Sequence, residues 1–164
     1  MSVWVFVHGS LMSDPPFRYI DVQLAQIEGL QRRFGHPSIR NWGSRRAPAP
    51  TSSLVHGGSV IGAAYRVDHD TLGVIIGREA SQPTETQIRL DHRHVDGFTW
   101  TMTDAWADRS LSWLAGAASR NIDAGGGPLG DALDYARTVS GGLRTLDASD
   151  PYVDAYLNAV EATG

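Results

Sequence analysis

The chain contains no cysteine and no lysine. Without cysteine there is no disulfide, no thiolate nucleophile and no Cys-ligated metal. Without lysine there is no Schiff-base chemistry and no phosphate-binding loop of the kind that requires one. Every one of the 14 positive side chains is an arginine. Glutamate is scarce as well: Glu28, Glu79, Glu85 and Glu161 are the full set, so any mechanism that needs a glutamate has four places to look. The net charge of -4 offers no basic arm or stripe, which argues against a nucleic-acid binder. No apolar run approaches the roughly 18 residues of a membrane span. Met1 to Val7 has no basic leader and no cleavage site, so a cytoplasmic protein is expected. What remains is an ordinary folding composition, 41% apolar and 20% charged over 164 residues, enough for one domain spanning 1–164.

Val3-Trp4-Val5-Phe6-Val7 is a compact run of strand formers and reads as a buried strand, ending at once in His8-Gly9-Ser10-Leu11. A second strand is expected over Ala25 to Phe34. Arg40 to Pro50 reads as an irregular surface excursion. Gly57-Gly58 opens a third strand, Val60 to Val67, whose small Gly62, Ala63 and Ala64 imply close packing against another layer. Asp68 to Glu79 reads as a capped helix with Leu72, Ile75 and Ile76 on one face. Ile88 to Val95 and Phe98 to Thr103 form an expected hairpin turning at Asp96-Gly97. The rest is helical: one face through Leu111, Leu114 and Ala118, another through Leu129, Leu133, Tyr135, Ala136 and Val139 that breaks at Gly141-Gly142, and a last amphipathic stretch over Pro151 to Val160. Strands first and helices last make the class α+β.

Several motifs invite chemistry. His92 and His94, two apart on an expected strand, face the same side, but no third ligand stands at a sensible spacing, so they read as solvated histidines and no metal is expected. The buried strand running into His8-Gly9 is like the oxyanion loop of an α/β-hydrolase. That fold also needs a G-x-S-x-G elbow, and Gly57-Gly58-Ser59-Val60-Ile61 fails at its last position. Gly125-Gly126-Gly127 followed by Pro128 reads as a helix-to-helix joint, with the proline in the first helical turn, rather than a phosphate cradle. Glu79 closes a helix beside Arg78; by itself such a pair is usually a solvated ion pair.

The order of these segments resembles the γ-glutamylcyclotransferase superfamily, and most of all its ChaC-type, glutathione-specific branch. The family's opening strand, Tyr-Gly-Ser-Leu and Asp-Pro stretch correspond to Val3–Val7, His8-Gly9-Ser10-Leu11-Met12 and Asp14-Pro15-Pro16-Phe17. Its next landmark is similar to Glu28-Gly29-Leu30-Gln31-Arg32-Arg33-Phe34, and its Gly-x-x-x-Gly-x-Ala-Tyr-Arg-Val strand to Gly58–Val67. Its Arg-Glu pair falls on Arg78-Glu79, and its helical tail is echoed from Gly127 to Val160. Three departures stand out: His8 replaces the motif tyrosine, Ala80-Ser81-Gln82-Pro83 carries no aromatic, and Trp113 lies near the place of a later loop tyrosine.

The resemblance implies a small mixed β-barrel or sheet with flanking helices and a helical C-terminal third. It also implies release of 5-oxoproline from a γ-glutamyl amide or peptide, an acyl transfer in which the substrate's own α-amine attacks its γ-carbonyl. No cofactor is needed. Glu79 is then the catalytic base and His8, Gly9, Ser10 and Leu11 bind the substrate, with Arg33, Arg45 and Arg46 open as partners for an anionic group. Since adjacent helical residues diverge by about 100°, Glu79 is expected to point inward and Arg78 away. A free carboxyl near pKa 4.3 is a poor base for an amine near 8, a gap of about 5 kcal/mol that burial of the carboxyl would narrow. Two other readings remain: a ligand-binding or regulatory member of the same fold with altered or lost catalysis, and a related enzyme acting on γ-glutamylamines or removing γ-glutamyl protecting groups. The partner expected in each active case is a small γ-glutamyl molecule, not a nucleic acid or a membrane.

Overall fold

The computed structural model describes residues 1–79, 81–102 and 105–163. Five strands among them close a barrel in the order β1-β3-β2-β4-β5: β1 Ser2–Val7, β2 Asp21–Ser38, β3 Ala49–Asp68, β4 Thr84–Arg89 and β5 His94–Thr99. Four helices cover it: α1 His69–Arg78 between β3 and β4, then α2 Leu111–Asp123, α3 Ala132–Thr145 and α4 Pro151–Thr163. None is long and apolar enough to cross a membrane.

β1 is apolar without a break because both of its faces are covered. Trp4 and Phe6 enter the barrel interior with Ile27, Val60 and Ile88, while Val5 and Val7 join the layer between barrel and helices with Tyr65, Tyr135 and Tyr156. Its neighbours are β3, antiparallel from Ser2↔Asp68 to Val7↔Ala63, and β5, parallel at Trp4↔Gly97 and Val5↔Phe98. The small residues of β3 serve this contact: a Cβ on Gly62 would overlap the Val7 carbonyl and lie 2.8 Å from the Phe6 ring.

β2 and β3 are 18 and 20 residues long, well beyond the expected Ala25–Phe34 and Val60–Val67. Their register shifts between Glu28 and Leu30 and again between Arg33 and His36, which interrupts the alternation a sequence pattern relies on. Gly57 and Gly58 (φ 107° and 61°) lie inside β3 opposite the first shift instead of opening the strand. Ala49 and Pro50, assigned to the irregular excursion, are paired in β3; only the intervening connection to β2 is irregular.

The expected Asp96-Gly97 turn is incorrect. Both residues lie within β5, and the chain reverses at Leu90–Arg93, where the Leu90 amide donates to the Arg93 carbonyl at 2.8 Å. Gly97 is glycine because β1 passes close by: a Cβ there would stand 2.6 Å from the Trp4 carbonyl oxygen and 2.5 Å from Ile88 Cδ1. Thr103, the far end of that expected hairpin, lies outside the described residues.

α1 is capped as expected, the Asp68 side chain accepting from the Thr71 amide at 2.7 Å. α3 departs from expectation at both ends. It starts after Asp131, which forms a capping box with Asp134, so Pro128 and Leu129 precede the helix. It also runs through Gly141-Gly142, where a Cβ on Gly142 would come within 2.7 Å of Met12 Cβ. Buried Asn121 of α2 joins this region together: its amide donates to the Trp42 and Ala47 carbonyls, both at 3.0 Å, and its carbonyl accepts from the Ala132 amide at 2.8 Å.

Candidate active site

At the carboxyl end of β1 the chain leaves the sheet through His8 and Gly9 and makes one 3-10 turn, Ser10–Met12. The turn's own hydrogen bonds run from the Met12 and Ser13 amides to the Gly9 and Ser10 carbonyls. The Ser10 and Leu11 amides therefore have no carbonyl partner among the described residues. Tyr65 of β3 holds the turn from the other side, its hydroxyl donating to the Leu11 carbonyl at 3.1 Å.

A cavity of about 230 Å³ opens here. It is lined by His8 through Leu11, by Ser52 and Thr51 of β3, by Tyr135 of α3, by Arg78 and Glu79 at the end of α1, and by Trp42, Trp100, Met102 and Leu129. The expected base and the expected substrate-binding turn thus border the same space.

His8 contributes its backbone more than its ring. The side chain is buried, with Nδ1 2.6 Å from Ser52 Oγ and Nε2 2.7 Å from the Trp100 carbonyl oxygen. A carbonyl only accepts, so Nε2 carries the proton and Nδ1 accepts from the Ser52 hydroxyl. Burial pulls the imidazole pKa down to about 4, against the Trp100 carbonyl, which raises it, and with Arg32, which lowers it further. The ring is a neutral wall bonded to β3 and to the end of β5.

Arg32, absent from the expected arginines, is the buried one. Its Nε donates to the His8 carbonyl at 3.0 Å, one terminal nitrogen donates to the Ile61 carbonyl at 2.7 Å, and the other is paired with Asp150. Burial lowers its pKa and Asp150 opposes that. Of the three arginines singled out from the sequence, none lines the cavity: Arg33 stacks over Tyr152 at 5.0 Å, and Arg45 and Arg46 are exposed between β2 and β3. The signal for Arg32 was its register, since on β2 it shares a face with Leu30.

Glu79 caps α1 in an extended conformation, its amide donating to the Ile75 carbonyl at 3.1 Å. The side chain is half-buried, and desolvation raises its pKa while neighbouring Arg78 lowers it. The divergence expected of the pair holds in part. Glu79 turns in, but exposed Arg78 lines the cavity as well, so it does not turn away from the site. The segment beyond Glu79 is tied to the barrel by the Trp100 indole, which donates to the Ser81 carbonyl at 2.9 Å; Ala80 lies outside the described residues.

Tyr135 is the lining residue that pattern reading passed over as one member of a helix face. Its hydroxyl oxygen accepts from the Ser52 amide at 2.8 Å and stands where a Cβ on Gly9 would be 2.7 Å away, so glycine is required there for close approach. Burial pushes its pKa up to about 12. Trp113, near the place of the family's loop tyrosine, packs instead on Trp106 at 5.1 Å and under Arg109, away from the cavity. His92 and His94 do not share a strand face: His92 is in the β4–β5 turn beside Asp91, and among the described residues no group of three metal-ligating side chains comes together.

Against this geometry the comparisons agree with one another. The sequence model of the family described as ChaC-like protein matches residues 3–163. The glutathione-specific gamma-glutamylcyclotransferase of Escherichia coli is 27% identical over 168 residues, spanning 97% of this chain and 73% of that protein. The human glutathione-specific gamma-glutamylcyclotransferase 1 is 34% identical over a shorter 68 residues, 40% of this chain and 31% of that one. A crystal structure of a yeast γ-glutamyl cyclotransferase specific to glutathione superposes with a TM-score of 0.84 at 17% identity, covering 98% of this chain and 96% of that one.

Proposed function

The chain belongs to the ChaC-like family and is an enzyme of the γ-glutamylcyclotransferase type; on that premise we propose that it acts on a γ-glutamyl peptide of the glutathione kind, with Glu79 as the proton-carrying carboxylate. The substrate's α-amine attacks its γ-carbonyl, a carbon–nitrogen bond closes the five-membered ring, and the γ-amide bond breaks. Glutathione yields 5-oxoproline and the cysteinyl-glycine dipeptide. No water and no outside nucleophile enters, which suits a chain without cysteine or lysine.

Two tasks fall to the protein. The α-ammonium must lose its proton before it attacks, and the carbonyl oxygen must be stabilised as it becomes negative. Among the described residues Glu79 is the one acidic residue that lines the cavity. It takes the ammonium proton and returns it to the departing amine. Its raised pKa brings it nearer to the amine it serves. The amides of Ser10 and Leu11 and the hydroxyl of Tyr135 are the donors within reach of the same space. Replacement of the family's tyrosine by His8 does not argue against the reaction, because both ring nitrogens are taken up by Ser52 and Trp100 and the backbone keeps its place. A cytoplasmic setting suits such a substrate, a principal thiol buffer of that compartment.

The observation that carries this reading is that Glu79, half-buried, borders the same cavity as the His8–Leu11 turn. The test is Glu79→Gln. Release of 5-oxoproline from glutathione is expected to fall by about 10²- to 10⁴-fold with the melting temperature unchanged. Activity within tenfold of the unaltered enzyme would overturn the role.

A further inference from the structure

We propose that Arg78 sets the choice of leaving group: its guanidinium pairs with the terminal carboxylate of the departing peptide, so the enzyme favours γ-glutamyl peptides with a free C-terminus over γ-glutamyl amines and masked peptides. This rests on the cyclotransferase reading and deepens it.

Among the described residues Arg78 is the one arginine that lines the cavity, and it is exposed with no hydrogen bond or ion pair. An unpaired fork of donors at the mouth of a site matches a carboxylate in both charge and shape. α1 ends at Glu79, and both neighbouring side chains line the cavity, the carboxyl half-buried and the guanidinium exposed. At about 230 Å³ the cavity is smaller than the roughly 300–1,000 Å³ of sites that enclose a whole drug-sized ligand. The half of the substrate that closes into a ring must lie inside, beside Glu79 and the turn. The half that leaves then lies at the mouth, where Arg78 is. Among the described lining residues no other lasting cation stands there: His8 is held neutral, burial lowers the pKa of His36 as well, and Arg33, Arg45 and Arg46 are elsewhere.

The test compares glutathione with its glycine-carboxyl ethyl ester as substrates of the purified full chain, following 5-oxoproline at one pH. Loss of Arg78 also alters the setting of Glu79, but that change acts on both substrates alike and cancels in the ratio of their kcat/KM values. The unaltered enzyme is expected to prefer the free acid by about 10- to 100-fold, the range for a hydrogen bond to a charged group. Arg78→Gln is expected to bring the ratio to within about threefold of one, through a higher KM for glutathione, and Arg78→Lys to retain part of the preference. A wild-type ratio near one, or an equal loss on both substrates in Arg78→Gln, overturns the assignment and leaves the reaction standing. If the wild type releases 5-oxoproline from neither compound, the reading of the reaction falls and this assignment with it.

Discussion

The floor and the rim of the cavity are built on opposite plans. On the floor, His8, Ser52 and Tyr135 are buried, with buried Arg32 bonded to the His8 carbonyl behind them, and each is bonded to another strand or helix. At the rim, Arg78 is exposed and Leu129 62% exposed, while half-buried Glu79 turns inward from it. The division follows from electrostatics. A group that must change its charge during a reaction needs water or a neighbouring ion within reach, whereas a group that must only hold still is best desolvated and fully bonded. In the proposed reaction the floor is therefore the part that positions, and the Arg78–Glu79 edge the part that selects and ionises.

The strongest way to break this division is to remove Arg32. Its guanidinium donates to the His8 and Ile61 carbonyls and meets Asp150, so one side chain links β2 to the active-site turn, to β3 and to the start of α4. Arg32→Ala takes the guanidinium away from Asp150 and from two carbonyls. Breaking a buried pair from one side costs about 3–5 kcal/mol. For a chain of this size that is a fall in melting temperature of roughly 6–20 °C. A variant that melts within 2 °C of the parent, by calorimetry, would mean that the floor is held by packing and not by this network.

A smaller effect separates floor from rim by pH. The His8 pKa lies at about 4 when folded against an ordinary 6.5, so the native state binds fewer protons than the unfolded chain between those values. Its contribution is full above pH 6.5 and is lost as pH falls towards 4, on the order of 3 kcal/mol in all. Burial sets it first; the Trp100 carbonyl after β5 opposes the shift and Arg32 on β2 adds to it. Urea titrations at pH 7 and pH 5 are expected to differ by less in His8→Gln than in the parent. Glu79 carries the opposite sign: its raised pKa makes the native state the better proton binder, so that contribution is lost as pH rises. If the pH dependence of stability is the same with and without His8, the His8 ring is not the buried, neutral wall described above.

The two plans also differ in how far the sequence disclosed them. β1 was legible because burial on both faces leaves an unbroken apolar run, and α1 because Asp68 announces its start. Glu79 was legible through its place in a familiar order of segments and its turn inward from the helix end. Much of the floor was not. Arg32 looks like any strand arginine until the fold brings Asp150, more than a hundred residues later, beside it. Tyr135 is one apolar period among several on α3 until Ser52 and Gly9 arrive at its hydroxyl. Asp96-Gly97 misled because a glycine needed for the approach of β1 reads the same as a glycine needed for a turn. Bulges in β2 and β3 reset the alternation, which hid the true length of both strands.

Tyr135 is where the two plans meet, and its variant sharpens the boundary between them. The hydroxyl oxygen is committed to the floor through the Ser52 amide, 2.8 Å away, yet its own proton has no acceptor among the described residues and the group lines the cavity with Glu79. With its pKa pushed up to about 12 it stays protonated wherever the enzyme works, so towards the cavity it acts as a donor and not as a base. Tyr135→Phe strands a buried amide and is expected to cost about 1–3 kcal/mol of stability. It is also expected to lower kcat/KM about tenfold, the weight of one neutral donor at the site. Melting and 5-oxoproline release measured on the same preparation separate the two roles. A lower melting temperature with unchanged kcat/KM would assign the hydroxyl wholly to the floor. An unchanged melting temperature with reduced kcat/KM would mean that the Ser52 contact is incidental and that the cavity's ionising chemistry reaches deeper into the barrel than the burial pattern implies.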